Sequence, residues 1–342
     1  MLPWWSVGLC VLLGASCQRT YTHFAYTEVI ERITRNECAG AQLRETPMLI
    51  GLWSLTDTTW VEYPGQSMSQ LKPTTAVQLG NLTTSFLVPR ILQEMADEEV
   101  TLDSTAIPVR SQDGRIIRNI SYADLLLHRS DLPAFNPAPG QTELDQLLAM
   151  DAALRQQDQG DVSGRYKFNH WNYVLAATAL RSRVARRPDL RVRDLAYTDQ
   201  LTDSLRQALL NTTLEARRAP RERDQNALFA PSTAGIASAI QLVGLLDSLA
   251  RTDLTELPSS PTLPDRPQTS IVPGWHKIEV HDGKAVLINS GRTRYFGAAV
   301  AYYPYTQTGV VVVSAQGKRL DCLTMDILRN LNQNWRRTPG NE

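Results

Sequence analysis

The order of hydrophobic patterns along the chain limits its fold more than any single segment does. Residues 47–63 alternate as two strands around a turn near Asp57, ended by Pro64-Gly65. Strand patterns return at 275–280, 284–288, 296–303 and 309–315, with Asp282-Gly283 as a hairpin turn between the first two. Between these blocks helical periodicity dominates, at 84–96, 121–128, 143–157, 170–182, 199–210 and 233–250. A Pro-, Ser- and Thr-rich stretch at 252–273 reads as a loop. Amphipathic helices are expected at 27–38, with Val29, Ile30 and Ile33 on one face, and at 321–335, with Asp321 near its N-terminus. The pattern predicts an α+β chain. Both termini contribute to one antiparallel sheet with helices on it, and the middle is a helical insert. The sheet part would span about 27–80 and 251–335, and the helical part about 81–250.

The 342 residues exceed one modal domain, and a hydrophobic fraction of 42% supplies a sizeable core. Basic and acidic residues number 35 each, so no global basic footprint points to nucleic acid. Five of the basic residues are Lys, which leaves few candidates for any lysine-dependent mechanism. No phosphate-binding glycine loop, Cys-x-x-Cys pair or His-Glu-x-x-His is present, and His276 and His281 show no metal spacing. No cofactor or metal is therefore expected. Arg217–Asp224 is a charged run that reads as a surface loop, with docking of a partner as the second reading.

Residues 3–16 form a short apolar run ending in small residues, too short to span a bilayer and suited to an export signal over 1–17. Gly14-Ala15-Ser16 before Cys17 resembles a lipoprotein processing site, although Gly14 stands where Leu is usual and the leading segment has no Lys or Arg. The readings are a lipid-anchored protein modified at Cys17, a plain secreted protein over 18–342, and an uncleaved anchor. In each the chain is exported, to the periplasm or outer membrane if bacterial, and contacts membrane only at its N-terminus. Cys10 would leave with the signal. Cys38 and Cys322 then remain as an even pair in an oxidising compartment, read as a disulfide or as two buried thiols. Helices 27–38 and 321–335 side by side would bring them together. Sequons at Asn81, Asn119 and Asn211 matter only in a eukaryotic secretory pathway.

Six segments in order resemble the serine β-lactamase and penicillin-binding protein family, in its class C and esterase-like branch. Val77-Gln-Leu-Gly-Asn-Leu-Thr-Thr-Ser-Phe86 is similar to F-x-I-G-S-x-T-K-x-F. Residues 91–103 resemble L-x-E-x-G-x-L-x-L-D-D. Ile120-Ser-Tyr-Ala-Asp-Leu-Leu-Leu-His-Arg-Ser-Asp-Leu-Pro133 resembles I-T-I-R-H-L-L-T-H-T-S-G-L-P. Tyr166-Lys-Phe-Asn-His-Trp-Asn-Tyr-Val-Leu175 is similar to F-x-Y-S-N-x-x-Y-x-L, and Ala230–Ser238 to a Gly-rich turn and helix. Leu287–Thr293 with Phe296-Gly297 falls where the K/H-T/S-G strand sits. The resemblance covers about 27–335. It implies a β-lactamase/transpeptidase-like fold and acyl transfer through a serine ester, with a helix-start Ser-x-x-Lys, a proton-relaying Tyr and a cationic strand residue.

Position by position the reactive side chains are replaced. The nucleophile position holds Asn81, the lysine position Thr84, the tyrosine position Phe168, and the asparagine of that motif His170. The strand motif begins with Asn289, and Ser290 and Gly291 keep its pattern. A carboxamide is no acyl-transfer nucleophile, threonine is no base near neutral pH, and Phe168 has no proton to relay. Losing one member of such a unit already costs several orders of magnitude in rate. Ser85, Thr83 and Thr84 read as packed helix-start residues, and His128 as structural. Lys167 reads as facing solvent. His170 is either a cleft base or ligand contact, or a hydrogen-bonded histidine at a helix start. The resulting expectation is a degenerate, monomeric envelope protein. Its remnant cleft, lined by Asn81, Thr84, Phe168, His170, Asn289, Ser290, Gly291 and Arg292, would bind a small ligand, a cell-wall peptide or a protein. The competing readings are a hydrolase with non-standard residues, and a structural protein whose cleft is filled. A Ser, Thr or Cys within about 3 Å of a base would favour the hydrolase.

Overall fold

The computed structural model describes residues 46–63, 71–110, 115–132, 164–184, 235–252, 257–263, 265–281 and 283–332. The export segment with Cys10 and Cys17, helices 27–38, 143–157 and 199–210, Cys38, Asn211 and the run 217–224 lie outside the described residues. The expected Cys38–Cys322 pairing therefore does too.

The strands anticipated at the two ends of the chain do join in one sheet. Its order is β2-β1-β11-β10-β9-β8-β7, with every pair antiparallel. The first hairpin is β1 (Met48–Ser54) and β2 (Asp57–Tyr63). The C-terminal strands are β7 (Thr269–Val272), β8 (Trp275–His281), β9 (Lys284–Arg292), β10 (Gly297–Tyr303) and β11 (Thr308–Ser314). Strand β7 lies within the stretch expected to be loop. Its four residues pair with β8 across a turn at Gly274 (φ +79), too short a run to stand out from the Pro-rich sequence before it.

Side chains alternate between two cores, as period 2 requires. Ile50, Ile288, Ala299, Val310 and Val312 face one side, where helix α5 (Asp321–Leu331) packs Leu323, Ile327, Leu328 and Leu331 on them. Leu49, Leu287, Val300, Val311 and Val313 face the other, under Leu242, Leu245, Leu246 and Leu249 of helix α4 (Ala239–Ala250). Each such side chain contributes about 1.5–3 kcal/mol on burial, so both helices are fixed to the sheet. Helix α4 thus packs on the sheet, although its sequence position is within the stretch read as the helical part. It also begins later than expected. Residues 236–238 form β6 (Ile236–Ser238), paired with β3 (Ala76–Gln78), and Ser238 starts the helix through a capping box with Gln241.

The third core is made by α1 (Thr84–Asp97), α2 (Tyr122–Leu126) and α3 (His170–Val184), with Val88, Ile91, Leu126, Trp171, Val174 and Leu175 at its centre. It includes a hairpin the helical pattern did not announce, β4 (Thr105–Arg110) with β5 (Ile116–Ser121). Helix α2 stops short of the expected residue 128 because His128 takes a left-handed conformation, φ 55.

Candidate functional site

Backbone contact places the first motif against the sheet. The 3₁₀ turn Gly80–Thr83 leads directly into α1 and lies on the end of β9. A Cβ on Gly291 would fall 1.8 Å from the Leu79 carbonyl and 2.7 Å from the Asn81 nitrogen. A Cβ on Gly80, itself at φ +53, would fall 2.6 Å from the Arg292 carbonyl. Only glycine allows so close an approach, so Asn81 sits at the junction of turn and strand. Thr83 locks the turn, donating to the Gly80 carbonyl at 2.6 Å and accepting from the Gly235 N–H at 2.9 Å.

A neutral network fills the space behind Asn81. Asn289, buried on β9, directs its Nδ2 at Ser85 Oγ (2.7 Å), the Gly274 carbonyl (2.9 Å) and Thr84 Oγ1 (3.1 Å). Its Oδ1 accepts from the Ser290 N–H at 2.8 Å. Thr84 Oγ1 donates to the Asn81 carbonyl at 2.9 Å, and Ser85 Oγ to the Gly274 carbonyl at 3.1 Å. The Tyr173 hydroxyl, from α3, hydrogen-bonds the same Thr84 side chain and the Gly274 backbone, and burial pushes its pKa up. Both hydroxyl protons next to Asn81 are therefore committed to carbonyls, and none is offered to a base.

The second motif is built around His128. Its Nδ1 accepts from the Asn169 N–H (3.3 Å) and meets Asn172 Nδ2 at 2.8 Å, while Ser130 hydrogen-bonds the Asn172 carbonyl oxygen. Burial, reinforced by His276 and His170, lowers its pKa to about 3, so the ring is neutral. Three aromatic rings surround it: Phe168 and Tyr173 at 4.7 Å and Tyr166 at 5.7 Å. Tyr166 is itself pushed up to about 12, mainly by burial. Phe168 is exposed at the rim, and His170 stands edge-on to it at 4.9 Å. Burial lowers the His170 pKa. The Lys167 side chain is exposed, and its N–H donates to the His128 carbonyl at 2.8 Å.

These elements border a cavity of about 760 Å³. Asn81, Thr84, Phe168, Asn289, Ser290, Gly291 and Arg292 line it together, and His170 does not. His170 touches the site through its ring contact with Phe168 and its influence on His128. The cavity wall also carries residues the motif reading did not single out for the cleft. Tyr166 and Tyr173 lie within the quoted second motif, and Arg266 within the loop. Trp275 and His276 open β8, and Asp321 opens α5. Asp321 was legible as a helix start, but its neighbour across the sheet was not. On the α5 side Ser290 Oγ donates a short hydrogen bond to Asp321 Oδ1. His276 pairs opposite Ile288 and points to that same face, its ring N–H donating to the Ile288 carbonyl. Burial lowers its pKa, with Asp321 acting in the opposite direction. Among the described residues no cluster of three or more potential metal ligands occurs.

No protein-family model and no curated protein matches the sequence. Solved structures do. A class C β-lactamase from Rhodobacter sphaeroides superposes with a TM-score of 0.62 at 14% identity, covering 90% of this chain and 98% of that one. A β-lactamase/D-alanine carboxypeptidase from Pseudomonas syringae gives 0.65 at 14%, covering 92% and 100%. The octameric penicillin-binding protein homologue from Pyrococcus abyssi gives 0.65 at 15%, covering 90% and 77%. With the sheet, its flanking helices and the cleft in place, this chain has the β-lactamase/penicillin-binding-protein-like serine hydrolase fold.

Proposed function

We propose that this is an exported, catalytically degenerate protein that uses the remnant cleft to hold a ligand or a peptide without acylation. The observation that carries the reading is the neutral network behind Asn81. The Thr84 and Ser85 hydroxyls near the former nucleophile position each donate to a backbone carbonyl, and each accepts from the Asn289 amide rather than from an amine or imidazole. The cavity of about 760 Å³ supports binding over a purely structural, filled cleft. Export through residues 1–17, anchoring at Cys17 and a Cys38–Cys322 disulfide are part of the same proposal. Among the described residues no helix is long and apolar enough to cross a membrane.

Intact-mass measurement of the mature protein tests this, after incubation with a fluorophosphonate and separately with a penicillin. No adduct is expected, and a mass two hydrogens below the reduced chain would report the disulfide. A stoichiometric adduct would refute degeneracy.

One observation favours the hydrolase reading, the hydrogen bond from Ser290 to Asp321. A carboxylate is a weak base toward an alcohol, so the pair suits recognition better than attack. An adduct that disappears in Ser290→Ala would reverse that judgement.

A further inference from the structure

The α5 side of the cavity has a hydrogen-bonding character opposite to that of the Asn81 side. Ser290 spends its one proton on Asp321, leaving oxygen lone pairs toward the cavity. His276 is a diagonal neighbour of Ser290 on the adjoining strand and the same face, since Ile288 lies opposite it in register. Burial favours its neutral ring, and a neutral imidazole offers one nitrogen as an acceptor. Asp321 is an acceptor by nature. Three acceptors of three chemical kinds, a carboxylate, an imidazole nitrogen and a hydroxyl oxygen, thus border one end of the cavity.

The α5 N-terminus would favour an anion, and Leu320 provides no side-chain cap there. Asp321, at the first position of α5, already supplies that negative charge. A ligand carboxylate at this end would meet Asp321. Four arginines also line the wall: Arg266, Arg292 and Arg319 are exposed, where water and salt screen them, and Arg329 faces Asp326 at 3.5 Å. Arg266 also faces Asp265 at 3.9 Å. The cavity wall also carries the aromatic rings of Tyr166, Phe168 and Tyr173.

We infer that the end of the cavity bounded by His276, Ser290 and Asp321 is a subsite for a ligand ammonium group, with the ligand's apolar part lying toward Phe168. The inference deepens the ligand-binding reading and rests on it. An ammonium carries three donors and no acceptor, which matches this wall.

Three probes of one shape decide it: benzylammonium, benzyl alcohol and phenylacetate, titrated calorimetrically against the mature full-length protein at neutral pH. Benzylammonium is expected to bind at least about tenfold tighter than benzyl alcohol, with phenylacetate weakest. Asp321→Asn should abolish that preference, bringing benzylammonium down to about the affinity of benzyl alcohol for the same variant. Ser290→Ala, which frees the Asp321 carboxylate, should keep the preference, and added salt should weaken benzylammonium alone. Should Asp321→Asn fail to fold, the wild-type probe order and its salt dependence still decide the question. Tightest binding by phenylacetate, or an amine affinity untouched by Asp321→Asn, would overturn the subsite while leaving the binding reading intact. Saturable binding by none of the three would overturn both.

Discussion

Replacing Asn289 probes the network that stands where the family's chemistry would be. Its amide nitrogen has two protons and faces three acceptors, Ser85 Oγ, the Gly274 carbonyl and Thr84 Oγ1, and its oxygen accepts from the Ser290 N–H. Asn289→Ala therefore removes about three hydrogen bonds, each contributing about 0.5–1.5 kcal/mol net. The former partners are not all orphaned, because Ser85 still donates to Gly274 and Thr84 to Asn81. The expected loss is about 2–4 kcal/mol rather than the full desolvation cost of each group. Asn289→Asp is the sharper variant. It keeps the acceptor for the Ser290 N–H and turns the second oxygen toward the same three acceptors. Both hydroxyls can rotate to donate to it, but the Gly274 carbonyl cannot. The carboxylate is also buried with no cation in the network, so Asp should cost more than Ala at pH 7. Its pKa would rise above the unfolded value of about 3.9, so acidification should remove that excess cost. Urea denaturation at pH 7 and at pH 4.5 reads both effects. An Asp variant as stable as wild type at pH 7 would refute the donor geometry.

Four further outcomes are expected. Gly291→Ala places a methyl against the backbone of Leu79, Asn81 and Leu82, which cannot yield as a side chain would. It should cost at least about 3 kcal/mol in the same assay. Gly244→Ala, with nothing within 4 Å on helix α4, should instead gain about 0.5–1 kcal/mol. His128 is neutral when folded, with a pKa near 3 against about 6.5 unfolded. The unfolded state then binds the extra proton, so stability falls as pH drops from about 6.5 toward 3, by up to about 1.4 kcal/mol per unit. His128→Asn, which tolerates the left-handed backbone, should flatten that part of the stability–pH curve, and an unchanged slope would refute the assignment. Thr84→Lys puts an ammonium among Asn81, Asn289 and Tyr173, whose side chains carry no negative charge. It should lower the urea midpoint and, without a serine at 81, yield no fluorophosphonate adduct by intact mass.

What the sequence revealed follows the range of each interaction. Periodicity is local, so β1, β2 and β8–β11 and all five helices of the described residues stood out, within a few residues at their ends. The strands it missed are short or sit beside loops. β3 and β6 have three residues each, and they exist because they pair with one another across more than 150 positions. The motif resemblance located Asn81, Thr84, Phe168 and Asn289, because each occupies a fixed offset from recognisable neighbours. His170, in the same motif, stands against Phe168 rather than in the cavity wall itself. Asp321 and His276 carry no motif. Their meeting with Ser290 is set by strand register and by the seat of α5, which no local pattern encodes.

The cleft and the chemistry are held by different forces, and that separation explains how one can outlast the other. Backbone contacts at Gly80 and Gly291 and the pairing of β9 with β10 fix the shape of the cleft. None of these depends on the side chain at 81, 84 or 168. Reactive groups, by contrast, need buried amines whose charge must be managed, which costs stability. In this chain Asn289, Thr84, Ser85 and Tyr173 match donors to acceptors without any charge. On the proposed reading, amide and hydroxyl in place of an amine would remove a nucleophile's support while tightening the wall behind it. The proposed recognition site would gain from that exchange, because a ligand would then meet a rigid, uncharged surface at Asn81 and charged groups elsewhere on the wall, Asp321 among them.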